Sequence, residues 1–167
     1  QKEGIEPDII ALAKGLGGGF PVGAVMAKAE VGDAMVPGTH GSTFGGNPLA
    51  MRSANAVLEL LLENDFLSNL RKMIVYFDKK MDELIKNDMQ NNPIIFAKKG
   101  SGMLRGFQLN EDVTAGDFSN IAREKSLLLV GAAENTIRLL PPLNTSKEEV
   151  DNAFDILHDI VLELKKI

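Results

Sequence analysis

The sequence predicts an α/β protein whose C-terminal part is an α+β unit, and three observations carry that prediction. Near the N-terminus two short apolar runs flank a cluster of glycines. Beyond residue 48, apolar residues recur at spacings of three and four over long stretches, the period of a helix with one buried face. Short runs of strand character, bounded by Gly, Asn and Pro, then alternate with further helical segments.

Taken in order, Asp8 to Ala13 is a run of buried-strand type opened by Pro7, and Val22 to Ala27 is a second one behind Pro21. Between them Lys14 is followed by glycines at 15, 17, 18 and 19. Residues 37–48 read as a loop rich in Gly, Ser, Thr, Asn and Pro. A helix follows from Pro48, with Met51, Ala54, Leu58 and Leu61 as its buried face. Asn64-Asp65 interrupts it and can cap a longer helix, striped by Leu67, Leu70, Ile74, Phe77, Met81 and Leu84, that ends near Asn91-Asn92-Pro93.

Ile94 to Phe96 and Met103 to Leu109 read as strands joined by a turn over residues 98–102. Asp117 to Lys125 reads as a short helix. Leu127 to Val130 and Thr136 to Leu140 read as two more strands, the last stopped by Pro141-Pro142. In the final helix Ser146 and Glu149 form a capping box, each side chain satisfying a free backbone N–H. Val150, Phe154, Leu157, Val161 and Leu164 make its apolar stripe, and Lys165-Lys166 sit where the helix dipole favours cations. About four strands with helices suit one sheet covered on one face. The expected division is residues 1–50, a connecting helix over 51–64, and a unit over 65–167.

Composition narrows the function. A chain of 167 residues, 44% hydrophobic and 25% charged, is ordinary for a globular protein. No stretch approaches the roughly 20 apolar residues of a membrane helix. A net charge of -5 argues against a nucleic-acid surface. The absence of cysteine excludes disulfides and thiolate metal sites, and a cytoplasmic location is the default. The chain opens at Gln1 and runs almost directly into a strand, which reads as a piece of a longer protein.

Lys14 leads the candidate residues. A lysine at the mouth of a buried strand is desolvated, so a neutral amine becomes available to an aldehyde; a solvated lysine after a strand would read the same way. The glycine cluster fits neither the Walker nor the dinucleotide fingerprint, and a tight turn alone would explain it. The loop His40-Gly41-Ser42-Thr43-Phe44-Gly45-Gly46-Asn47-Pro48 sets small hydroxyls among glycines before a helix N-terminus. That arrangement suits an anion such as phosphate, or simply connects two elements. His40 is a loop hydrogen-bonder with no assigned role. Arg138, inside the apolar run Ile137 to Pro142, needs a partner, and a carboxylate held bidentately is the natural one, internal or from a substrate. Arg105 raises the same question.

Three blocks together resemble the class III, or ornithine-type, aminotransferases. They are Pro7 to Ala24 with Ala13-Lys14-Gly15-Leu16-Gly17-Gly18-Gly19-Phe20-Pro21, Gly38 to Ala50 with His40-Gly41-Ser42-Thr43, and Asn135 to Leu143 with Ile137-Arg138-Leu139-Leu140-Pro141-Pro142. The third block points within the class to the acetylornithine aminotransferases. The resemblance covers essentially the whole chain. It implies the type I fold of pyridoxal 5'-phosphate (PLP)-dependent enzymes, with the end of the large domain followed by the small C-terminal domain.

By that resemblance Lys14 is the lysine that bonds to the cofactor and moves the proton between substrate and cofactor. Thr43, with Ser42 beside it, binds the cofactor phosphate by reaching across from the partner subunit of a homodimer. Arg138 clamps the substrate's α-carboxylate. The implied reaction passes an amino group from N-acetylornithine to 2-oxoglutarate in arginine biosynthesis, with no metal. Ornithine, 4-aminobutyrate and succinylornithine aminotransferases are the neighbouring readings, and a non-catalytic dimerisation domain is the reading from another class. The family's glycine-rich phosphate loop, ring-stacking aromatic and acidic partner of the pyridine nitrogen have no counterpart in this sequence.

Overall fold

The structure, a computed structural model, describes residues 4–89 and 92–166. They fall into two compact units, one ending at Leu67 and the other beginning at Ser68.

In the first unit, β1 (Ile9–Leu12) pairs antiparallel with β2 (Ala24–Ala27), Ile9 opposite Ala27 and Leu12 opposite Ala24. The Lys28 amide donates to the Asp8 carbonyl at 3.0 Å, and the Lys28 ammonium meets the Asp8 carboxylate at 2.9 Å. A single 3-10 turn (Lys14–Gly17) fills the connection, and α1 (Ala29–Gly32) is one helical turn. Helix α2 (Pro48–Leu62) follows the loop.

The two strands form as expected, but within this unit they are not buried: Ile9, Leu12, Val25 and Met26 are all exposed. The sheet they make has only two strands, and a lone ribbon leaves both its faces open. The buried face of α2 agrees with the expected one only in part, in Ala54 and the half-buried Leu61. Met51 and Leu58 are exposed, while Ala50 and Ala54 are buried. Helix α2 meets the 3-10 turn through Ser53 and Val57, against a backbone whose glycines leave room for close approach.

The second unit holds the apolar core. Helix α3 (Phe66–Asp88) buries Phe77, Met81 and Leu84, with Leu70 and Ile74 packed partly against them, while Leu67 is exposed. It ends at Asp88, a few residues before the expected Asn91-Asn92-Pro93, of which Asn91 lies outside the described residues. The buried Asp88 carboxylate accepts the Ile95 amide at 2.6 Å and pairs with the Lys165 ammonium at 2.8 Å, tying the helix end to the next strand and to the chain's last helix.

Strands β3 (Ile95–Ser101), β4 (Leu104–Leu109), β5 (Val130–Ala132) and β6 (Thr136–Leu139) form one antiparallel sheet in the order β3-β4-β6-β5. Phe107, Leu109, Ile137 and Leu139 point from it into a core shared with α3, α4 (Ala115–Glu124) and α5 (Lys147–Leu164). Phe77 meets Phe154 edge to face at 5.3 Å, a favoured aromatic geometry.

This is the single sheet covered on one face that the sequence predicts, with shifted boundaries. Lys98, Lys99 and Gly100 belong to β3, and only Gly102-Met103 forms the turn, with Gly102 at φ 62°. Strand β5 starts at Val130 because Leu127 and Leu129 pack against the core instead. Helix α4 starts at Ala115, two residues early, because the Thr114 hydroxyl accepts the Asp117 amide at 3.1 Å. The capping box of α5 is present in both directions: Ser146 N–H donates to Glu149 Oε2 at 2.7 Å and Glu149 N–H to Ser146 Oγ at 3.2 Å.

Candidate active site

Lys14 opens the 3-10 turn with φ 56°, in the left-handed region. A non-glycine residue there costs on the order of 1 kcal/mol and marks a backbone held by its surroundings. Its side chain is exposed, so the desolvation expected at the mouth of a buried strand is not found in this chain. The open ribbon beside it is the reason. Among the described residues the Lys14 side chain has no hydrogen-bond or ion-pair partner, which leaves the amine available.

The turn is built on α2. Gly18, at φ 57°, closes it, and a Cβ at that position would stand 2.9 Å from Val57 Cγ2. Ser53 donates its hydroxyl proton to the Gly17 carbonyl at 2.7 Å. Both α2 residues, Ser53 and Val57, escape a reading of the sequence, which gives no sign of what packs across from them.

The Ser42-Thr43 loop is fastened to the start of the same helix. Asn47 is the N-cap, its Oδ1 accepting the Ala50 amide at 2.9 Å while its Nδ2 donates to the Phe44 carbonyl at 2.8 Å. Pro48 follows at the first helical position, where no N–H is missed. The loop and the Pro21-Val22-Gly23 segment line a hollow of about 250 Å³ that includes Ser42 but neither Lys14 nor Thr43. Ser42, Thr43 and His40 are exposed.

Arg138 lies in the second unit, on β6, with Gly106 of β4 on one side and Val130 of β5 on the other. Ile137 and Leu139 turn into the core and Arg138 turns outward, exposed. Among the described residues it makes no ion pair or hydrogen bond, so the internal partner the sequence left open is absent there. Lys99, in the same cross-strand row beyond Gly106, is instead neutralised by Glu134, whose carboxyl that ammonium holds below the usual carboxylate range. Arg105 has the opposite fate. It is nearly buried, pairs with Asp78 at 2.7 Å, and donates to the Gly102 and Gly100 carbonyls at 3.0 and 2.9 Å. Arg105 therefore holds the β3–β4 turn, whereas Arg138 is open to a ligand.

No group of His, Asp or Glu suited to a metal ion occurs among the described residues. Nor is any helix among them long and apolar enough to cross a membrane.

The aminotransferase class-III family model matches residues 1–161. Acetylornithine aminotransferase 1 of Bradyrhizobium diazoefficiens is 40% identical over 92% of this chain and 36% of its own length. The acetylornithine aminotransferase of Oceanobacillus iheyensis is 40% identical over 98% of this chain and 40% of its own. Among solved structures, the ornithine δ-aminotransferase of Plasmodium falciparum superposes with a TM-score of 0.87 at 30% identity, over 99% of this chain and 42% of that one. The acetylornithine aminotransferase of Elizabethkingia anophelis does so with 0.86 at 33% identity, over 97% of this chain and 42% of that one. The chain thus spans well under half the length of these proteins. With its fold and its sequence both matched along nearly all its length, the chain belongs to the class III aminotransferases, a family of PLP-dependent enzymes.

Proposed function

We propose that this chain supplies the cofactor lysine, part of the phosphate cradle and the carboxylate clamp of an aminotransferase that acts on N-acetylornithine and 2-oxoglutarate. The observation that carries the reading is Lys14: an exposed, unpartnered amine on a strained turn, fixed to the same helix as a Ser-Thr loop. These residues suit PLP. Its aldehyde calls for a free primary amine, and its phosphate for hydroxyls and backbone amides beside a helix N-terminus. When bound, the cofactor supplies the electron sink that lets an amino group pass between an amino acid and a 2-oxo acid.

In this reading the Lys14 amine anchors the cofactor and then holds and delivers a proton at Nζ. Ser42 and the Thr43 hydroxyl hold phosphate, Thr43 doing so for the partner subunit of a homodimer. The Arg138 guanidinium grips the α-carboxylate with two parallel hydrogen bonds and so orients the substrate. N-acetylornithine as amino donor is supported by the names of the relatives, all 38 to 42% identical. Ornithine is the second reading, because ornithine aminotransferases lead among the similar structures.

The test is reductive labelling of the enzyme containing this chain, using PLP and borohydride followed by peptide mapping. Label concentrated on Lys14, with Lys14→Ala losing it and losing turnover by about 10²-fold or more, is the expected result. Label scattered over many lysines would remove Lys14 from its role. A kcat/KM comparison of N-acetylornithine with ornithine then decides the donor, and a preference for ornithine would overturn the first choice.

A further inference from the structure

One polar contact in the first unit joins residues 36 apart in the chain and belongs to neither helix nor ribbon: the Ser53 hydroxyl on the Gly17 carbonyl, 2.7 Å away. A serine inside a helix ordinarily bonds back to its own preceding turn. Ser53 instead reaches off α2 to the turn that carries Lys14. We propose that Ser53 is a positioning residue for Lys14, latching the lysine's turn to α2. The proposal rests on Lys14 being the cofactor lysine.

The turn needs such a latch. The bonds at its two ends, Leu16 N–H to the Ala13 carbonyl at 3.2 Å and Gly18 N–H to the Gly15 carbonyl at 3.1 Å, span three residues each. Bonds of the 3-10 type have poor geometry, and short runs of them seldom stand alone. Glycines at 15, 17, 18 and 19 leave the segment more conformational freedom than any other composition would. Lys14 also sits at φ 56°, a conformation an unrestrained lysine leaves.

The Gly17 carbonyl accepts two protons, from Ser53 and from Phe20 N–H at 3.0 Å. With both lone pairs engaged, the peptide plane between Gly17 and Gly18 is fixed. One helical turn beyond Ser53, Val57 packs against Gly18, and Ser53 and Val57 together make a two-point clamp. The same helix begins at Asn47, which ends the Ser42-Thr43 loop. Lysine turn and loop are therefore referenced to one rigid rod, and Ser53 is the polar tie that sets the lysine's end of it.

The experiment compares the wild-type enzyme with Ser53→Ala and Ser53→Thr, the threonine keeping the hydroxyl. Amide exchange of Gly18 and Phe20 reads the latch without any cofactor. The rate of PLP labelling at Lys14, trapped with borohydride and mapped, reads the lysine. Ser53→Ala should speed exchange of those amides by about fivefold, the effect of one lost hydrogen bond, and slow Lys14 labelling by a similar factor. Ser53→Thr should restore both. Unchanged exchange in Ser53→Ala would overturn the latch. Faster exchange with unchanged labelling, or a threonine variant as impaired as the alanine one, would overturn the positioning role. If wild-type Lys14 were labelled no faster than other lysines, the cofactor assignment itself would fall, and the positioning role with it, while the exchange data still decided whether the latch exists.

Discussion

Two arginines in strands of the same sheet, both flanked by apolar residues, do opposite work. Arg105 gives its protons to a carboxylate and two carbonyls of its own unit, so replacing it leaves Asp78 with Lys98 as its remaining partner and loosens the β3–β4 turn. Arg105→Met should lower stability by about 1–3 kcal/mol, measured by urea unfolding. Arg138 has no partner among the described residues, so Arg138→Lys should leave unfolding within about 0.5 kcal/mol of wild type. With Arg138 in its proposed role of carboxylate clamp, losing one arm of the fork should instead raise KM for the substrate by about tenfold or more. Neither fate is legible locally. Both side chains stand in apolar runs, and the residue that separates them, Asp78, lies on a helix far away in the chain. The identity of Lys14 as a candidate was legible from its glycines, but its exposure was not, because burial depends on what covers the ribbon.

At the level of elements, patterning carried most of the helices and turn chemistry carried the errors. The stripe of α5 and its capping box appear in the structure as the spacing predicts. Ser146→Ala should cost about 1 kcal/mol, read as a lower melting temperature, while Thr145→Ala at the neighbouring position should cost less. Strands β3 and β5 drifted from their expected bounds because a two-residue hairpin and a turn with Glu134 and Asn135 at φ 57° and 48° moved the reversals. Such turns depend on backbone angles that a run of apolar letters does not encode. Helix α2 forms where expected, with Ala54 buried as its pattern predicts, but Ser53 and Val57, which lie off that pattern, meet the lysine's turn.

For the whole molecule, the apolar core belongs to the second unit, and its acid stability should turn on one junction between α3 and α5. Asp151 of α5 accepts the Tyr76 hydroxyl and pairs with Lys80 at 3.0 Å, both on α3. The hydrogen bond from Tyr76, followed by that from Lys80, holds the Asp151 carboxyl below its ordinary range. Glu149 is lowered too, chiefly by the Ser146 amide. A carboxylate lowered on folding stabilises above its unfolded pKa, about 4, and that contribution disappears as pH falls through the folded value. The melting temperature should therefore drop as pH falls below about 4, and Asp151→Asn should flatten that slope while melting lower at neutral pH. A mutant with the wild-type slope would mean other carboxylates govern acid unfolding.

The cap that anchors the Ser42-Thr43 loop also bears on how the protein ages. Asparagine side chains are lost over time when the next residue's backbone nitrogen attacks the amide and expels ammonia. At Asn47 that nitrogen belongs to Pro48, which carries no hydrogen, so this route is closed. The protection matters because Asn47 uses both ends of its amide, accepting from Ala50 and donating to the Phe44 carbonyl. Conversion to aspartate would keep the first bond, remove the second, and set a negative charge beside the residues proposed to receive phosphate.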